Sequence, residues 1–260
     1  MTASERHTFV VLAHGDSPYL EECLDSLQHQ TVRSRILIST STPTERLHQI
    51  SAQREIPLLL VSTPSTLAND WNQALAAART SLVTLAHQDD IYAEDYVKSC
   101  LATIDKKDLI LFTNAALIDE NGNKKMSFAN TMKRVLLIPM VICRRLHRPG
   151  LKQTVISLGN PINCPSVMYN LEMLSGFQFP EGWQYALDWM AWITLSKVEG
   201  SFVYNPQILL KRRIHKESLS AQYEKNQQRQ REDTAVFHTL HKQWLADLLA
   251  KLYKNGYIYR

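Results

Sequence analysis

Asp89 and Asp90 stand side by side in the stretch LVTLAHQDDIY, residues 82–92, directly behind a run of apolar residues. Adjacent carboxylates repel each other and each is costly to desolvate, so a buried strand has no place for them. They belong where the strand leaves the core. There the pair is a solvated turn, a helix start ahead of Ala93, Glu94 and Asp95, or part of a metal site. Hard carboxylate oxygens suit Mg²⁺ or Mn²⁺, which take one or two carboxylates together with phosphate oxygens. The cysteines offer nothing comparable. Cys23, Cys100, Cys143 and Cys164 lack the paired spacing of a zinc or redox motif, and three of them sit among apolar residues as small hydrophobes.

The elements ahead of the pair explain why it is exposed to chemistry. Residues 8–13, TFVVLA, read as a buried strand ending at HGDSP, with Ser17 capping a helix that starts at Pro18. A second strand covers Ile36 to Ile38, and Thr42, Pro43 and Glu45 form a capping-box pattern for the next helix. The run IPLLLV is a third strand ending at Ser62, followed by Leu67, Trp71 and Leu75 at helical spacing. The stretch that carries Asp89 and Asp90 is the fourth. Such alternation predicts an α/β fold, a mostly parallel sheet flanked by helices whose first half is Rossmann-like, with ligands at the carboxyl ends of the strands.

Beyond residue 92 the rhythm loosens. Helical spacing from Tyr96 to Ile104 leads to the strand DLILFT, then to a tight turn at Asn121-Gly122. SVMY is a further strand, WQYALDWMAWITLSKV a helix, and GSFVYN and ILLKRRI two late strands. Residues 131–152 have an apolar centre broken by Pro139 and bracketed by Lys133, Arg134, Arg144, Arg145 and Arg148. This is either a buried helix with ordinary flanking charge or an interfacial loop against anionic lipid. From Ser220 the chain is polar and helical, and its stripe of Leu240, Trp244, Leu248, Leu249 and Leu252 packs on its own domain or forms a homodimer.

With 260 residues, 45% of them hydrophobic, the chain can bury a sizeable core. A net charge of +4 suits an anionic small ligand or an acidic membrane surface and is too weak to argue for nucleic acid. No run reaches the roughly 18 apolar residues that span a bilayer, and the N-terminus lacks a signal-type stretch, so a cytoplasmic protein, peripheral on the inner face of the cell membrane, is expected.

Taken in order, several stretches resemble the inverting glycosyltransferases of family 2, with their GT-A fold. They are VVLAHGDSPYLEECLDSLQHQT, ILISTSTPTE, ANDWNQALAAA, TLAHQDD as a D-x-D-type strand end, ALDWMAW, and KRRIHKESLS. The resemblance covers residues 7–220 and implies a sugar moved from a nucleotide-sugar donor, UDP-linked by default, to a cell-surface glycan or lipid-linked acceptor. It implies Asp188 as the catalytic base, which takes the proton of the attacking hydroxyl. It implies Asp89, Asp90 and His215 around Mn²⁺ or Mg²⁺, and a donor pocket of Ala13, His14, Asp16, Ser39, Asn69, Asn72, Asp89 and Arg213. On an alternating strand Arg213 and His215 share a face and Arg212 points away, which favours Arg213 for phosphate. Trp183, Tyr185, Trp189 and Trp192 are either a sugar-stacking wall or core.

The chain departs from the family pattern at two places. Ser39, Thr40 and Ser41 stand where many members carry an acid that contacts the base, and His87 stands at the first acidic position of D-x-D. The expected organisation is a glycosyltransferase domain over 1–219, with a nucleotide-binding half at 1–92 and an acceptor half at 93–219, and a helical extension at 220–260. Two rivals remain: a nucleotidyltransferase, disfavoured by the glycine-poor HGDSPY, and a non-catalytic glycan-binding or scaffold subunit.

Overall fold

The first strand, β1 (His7–Ala13), is buried at every position but Leu12 because helices cover both faces of the sheet it belongs to. It pairs in parallel with β2 (Arg35–Thr40), which in turn pairs with β3 (Leu58–Leu60). On its other side it pairs in parallel with β4 (Leu82–His87). Leu12 is level with both Ser39 and His87, so the three strands end together on one rim. The computed structural model that shows this describes residues 3–62, 65–225 and 227–254.

A short helix, α1 (Ala3–Arg6), precedes β1, and α2 (Leu20–Gln28), α3 (Glu45–Gln53) and α4 (Leu67–Ala77) connect the strands. Leu20, Cys23, Leu24 and Leu27 bury one face of α2, as their spacing predicts. The helix starts at Leu20, later than Pro18, because Ser17 makes a turn of its own in which its hydroxyl accepts from the Tyr19 N–H at 3.2 Å. At α3 the cap is Thr44, which accepts from the Leu47 N–H at 3.2 Å. Thr42 is engaged elsewhere: it accepts from the N–H of Gly15, a glycine at φ +58° where most side chains are strained.

The second half adds β5 (Ile91–Tyr92), α5 (Tyr96–Thr103), β6 (Asp108–Ile118) and β7 (Lys124–Lys125). Then come α6 (Phe128–Leu136), α7 (Ile138–Cys143), β8 (Arg145–Leu146), α8 (Pro149–Ser157), β9 (Val167–Asn170), α9 (Leu187–Ser196) and β10 (Ser201–Arg213). The strand order is β3-β2-β1-β4-β9-β6-β10-β5. The sheet is mixed, because β9 runs antiparallel between β4 and β6 while β10 is parallel to β6. The two late strands read from the sequence are one strand, β10, with register shifts between Asn205 and Leu210. Pro206 lies inside that irregularity and has no N–H for the ladder.

Residues 131–152 form several short elements instead of one buried helix. Leu137, Met140 and Leu146 point into the core, while Val135, Ile138, Val141 and Ile142 stay exposed. Of the flanking cations, Arg145 is committed to the fold through Asp108, at 2.5 and 2.6 Å. The tail forms α10 (Leu219–Lys225), α11 (Gln228–Leu240) and α12 (Gln243–Lys254). Val236, Phe237 and Ala246 join the same core as Trp189 and Trp192, whereas Trp244, Leu248 and Leu252 remain exposed. Cys23, Cys100 and Cys164 are buried thiols and Cys143 is exposed. Among the described residues, no helix is long and apolar enough to cross a membrane.

Candidate active site

Beyond the end of β4 the chain turns at once, and the Asp90 N–H closes the turn on the His87 carbonyl at 3.2 Å. Gln88 fixes that turn to the end of β1: its amide accepts from the His14 N–H at 3.0 Å and donates to the His14 carbonyl at 3.1 Å. The turn brings ligand atoms of His87, Asp89 and Asp90 within 4.8 Å of one another. Asp90 is 1% exposed; one carboxylate oxygen accepts from the Arg213 N–H at 2.9 Å and the other has no partner. His87 Nε2 is likewise buried without a partner. Burial lowers the His87 pKa, leaving a neutral imidazole with a lone pair to offer.

The two carboxyls are pushed apart. Burial and the charge of Asp89 hold the Asp90 carboxyl well above the usual range. At Asp89 burial acts upward too, but the His215 hydrogen bond at 3.0 Å leads the opposing interactions that bring it below that range. One ionised carboxylate, a second that ionises only when compensated, and a neutral imidazole make a donor set that fits a divalent cation. Imidazole favours a transition ion such as Mn²⁺ over Mg²⁺.

The cluster lines a cleft of about 920 Å³ that also takes in Asp188, in the first turn of α9. Asp188 Oδ1 accepts from the Trp189 N–H at 2.7 Å and Oδ2 from the Asn160 amide at 3.0 Å. Burial nevertheless raises its pKa, against the opposing pull of Lys133 and these hydrogen bonds. A carboxyl above its normal range is suited to accept a proton near neutral pH. The segment before α9 is held from α11: the Glu232 carboxylate accepts from the N–H groups of Gln184, Tyr185 and Ala186, the last two at 2.8 Å.

A family model described as Glycosyl transferase family 2 matches residues 8–159, more than half of the chain. The chain belongs to glycosyl transferase family 2. Among curated proteins none matches it. Among solved structures it is similar to S. aureus TarS 1–349 in complex with UDP-GlcNAc, at 15% identity and a TM-score of 0.60, over 96% of this chain and 72% of that one. It is also similar to the mannosyltransferase PcManGT from Pyrobaculum calidifontis in complex with GDP-Man and Mn²⁺, at 16% identity and a TM-score of 0.60, over 90% and 63% of the two chains. At such identities the likeness is one of fold, and the fold is GT-A-like.

Within this glycosyltransferase, Ala13, His14, Asp16, Ser39, Asp89, Asp90, Asp188, Arg213 and His215 all line the cleft. Asn69 and Asn72 are not among its lining residues. The Asn72 amide is bonded on both sides to the Phe179 backbone, accepting at 2.7 Å and donating at 3.2 Å. The Asn69 amide donates to the Ser62 carbonyl at 3.2 Å. Arg213 lines the cleft but is 3% exposed and bound to the fold. Its guanidinium donates to the carbonyls of Asp89, Asp119 and Glu120 and to the Glu22 carboxylate at 2.5 Å. The face argument for Arg213 and His215 does not apply, because β10 ends at Arg213 and alternation ends with it. Arg212 lies in the cleft instead, close enough to act electrostatically on His87, Asp90, Lys133 and Asp188. Trp192 is core, and Trp189 lines the cleft while donating to the Ile156 carbonyl at 2.9 Å.

Two further cleft residues have no signal in the sequence. Asp70, on α4, accepts from Ser41 at 2.6 Å and from Ser65, which puts a carboxylate at the end of β2. Lys133, on α6, donates to Asn163 Oδ1 at 3.0 Å, and burial, with Arg212 nearby, pushes its ammonium pKa down to about 7.

Proposed function

We propose that this glycosyltransferase transfers one sugar, with inversion, from a nucleotide diphosphate donor to a hydroxyl of a glycan or lipid-linked acceptor. The observation that carries the reading is the pair of partnerless buried atoms, His87 Nε2 and Asp90 Oδ2, beside Asp89 in the cleft that also holds Asp188. TarS with UDP-GlcNAc and PcManGT with GDP-Man and Mn²⁺ support a donor of this class on the same fold. His87, Asp89 and Asp90, with His215 behind Asp89, would hold Mn²⁺ or Mg²⁺. When bound, such an ion supplies Lewis-acid counter-charge to a diphosphate.

The donor lies against the rim formed by β1, β2 and β4. Ala13, His14, Asp16 and Ser39 line its nucleoside end, and Asp70 supplies the carboxylate that the end of β2 lacks. Arg212 faces the diphosphate. On the other side Asp188 takes the proton of the acceptor hydroxyl as that oxygen bonds to the anomeric carbon. The bond from the anomeric carbon to the leaving oxygen breaks, its electron pair departs with the nucleoside diphosphate, and a single displacement inverts the centre. Asn160 Oδ1, buried without a partner in the cleft lining, is placed to accept from an acceptor hydroxyl. Residues 1–92 thus carry most of the donor site, completed by Arg212 and His215, and 93–219 the acceptor side, with the following helices bracing Asp188 through Glu232. The exposed apolar side chains of 131–152, with Arg134, Arg144 and Arg148 around them, support a peripheral contact of that segment with an anionic membrane surface.

Calorimetric titration with UDP, GDP, CDP and dTDP, each with and without Mn²⁺, tests the reading. One nucleotide should bind at least about tenfold more tightly with Mn²⁺. Binding of none would leave Asp89 and Asp90 without a ligand role and end the proposal.

A further inference from the structure

Helix α12 divides its apolar residues between two sides. Ala246 is buried, and Leu249, Ala250 and Tyr253 pack against the core that holds Trp189 and Phe237. Trp244, Leu248 and Leu252 lie on the opposite side, 67%, 48% and 57% exposed. Recurring every fourth residue, they form one ridge about 12 Å long. Leu252 also lines the cleft, together with Met132 and Leu158, which are exposed as well. The junction is tight, since a Cβ built on Gly159 would stand 2.7 Å from the Tyr253 ring. Exposed leucines scattered singly are ordinary, but a contiguous apolar ridge marks a surface that something covers.

We propose that a second copy of this chain covers the ridge, in a two-fold dimer through α12 that also closes the apolar end of the cleft. Spacing and charge select this occupant. In a two-fold interface, if residue i meets j then j meets i. Three evenly spaced residues satisfy this with Leu248 on the axis: it meets the partner's Leu248, and Trp244 meets the partner's Leu252. Ridges of four-residue period from two helices interdigitate at about −50°.

The charges agree with that pairing. Asp247 and Lys251 form the next row along the helix, both exposed, with Asp247 Oδ1 held 2.9 Å from His238 Nε2. Antiparallel packing about Leu248 brings Asp247 within about half a turn of the partner's Lys251, so each copy offers the other an opposite charge. A carboxylate beside the middle of the ridge disfavours an anionic lipid surface at the same place. Because Leu252 belongs to both the ridge and the cleft, the partner's Trp244 becomes part of the outer wall of the cleft. The dimer is independent of which donor or acceptor the site takes.

Sedimentation of the full chain tests this. One helix pair buries less than a standard interface, so the wild type should pass from monomer to dimer across the micromolar range. Leu248→Asp sets two carboxylates against each other on the axis and should weaken the dimer at least about tenfold. Asp247→Lys and Lys251→Asp should each weaken it at least about threefold. Mixed in equal amounts, those two variants should pair with each other more tightly than either does with itself, because the charges across the axis are then opposite. Val198→Asp, at an exposed apolar residue outside the cleft, should leave the dimer unchanged. Fluorescence of anilinonaphthalene sulfonate, which reports exposed hydrocarbon, should fall on mixing as the ridge and the cleft end are covered. A wild type that stays monomeric at its highest soluble concentration overturns the proposal. So does a dimer that Leu248→Asp leaves intact, or a mixture without preference for the mixed pair, since another surface would then hold the copies together. A monomer whose binding to anionic vesicles is lost in Leu248→Asp would give the ridge to lipid and overturn it too.

Discussion

Asn160 donates through its side-chain amide to Asp188 Oδ2 at 3.0 Å, while its backbone N–H donates to the Tyr253 hydroxyl at 3.2 Å. One residue ties the proposed base to the C-terminal helix. A hydrogen bond to the charged form favours that form, so Asn160 restrains the rise that burial imposes on Asp188. The base works deprotonated, and the rate of transfer therefore falls as pH drops through its pKa. Asn160→Ala should move the acid limb of the kcat profile to higher pH, and Lys133→Ala should move it the same way by removing a favourable charge. A limb unmoved in both variants would show that Asp188 does not set it.

Asp188→Asn keeps the shape and removes the proton acceptor. Transfer should fall by about 10² to 10⁴, the range that general bases supply, with nucleotide affinity within a few-fold of wild type. A collapse of nucleotide binding would instead place Asp188 on the donor.

Binding of an ion only to the folded state stabilises that state by mass action. Mn²⁺ should raise the thermal midpoint of the wild type and leave that of Asp89→Asn unchanged. His87→Ala should reduce the Mn²⁺ response more than the Mg²⁺ response, because imidazole nitrogen suits the transition ion. Equal losses for both ions would put His87 outside the ligand set.

The two neighbouring arginines should part company. Arg213→Lys cannot reproduce a planar fork that reaches three carbonyls and a carboxylate, and should cost about 3 kcal/mol in urea unfolding. Arg212→Ala should leave unfolding within about 1 kcal/mol and weaken nucleotide binding at least about tenfold. The reverse pattern would exchange their roles.

Glu232→Ala strips one acceptor from three successive N–H groups ahead of α9. Leaving buried donors unmade costs about 1–3 kcal/mol, and kcat should fall as Asp188 loses its fixed approach. Normal turnover in a destabilised Glu232→Ala protein would make the brace structural only.

Much of the donor half follows from local pattern. Apolar runs at β1, β2 and β4 with helical spacing between them dictate parallel strands whose ends align, and two adjacent carboxylates behind Ala86 sit at that rim because the interior of a strand cannot hold two neighbouring charges. Asp188 could be marked only through the family resemblance, since a lone acid in the first turn of a helix carries no signal of its own. What tertiary structure alone decided concerns partners far apart in the chain. Arg213 is bound into the fold because Glu22 and the Asp119 and Glu120 carbonyls converge on it. Asp70 reaches the end of β2, Lys133 leaves a surface-looking basic cluster for the cleft, and Glu232 caps a segment 46 residues earlier. Periodicity reports which face of an element is buried, but hydrogen bonds and charge pairs are settled by which faces meet. That depends on the packing of the whole sheet and its helices.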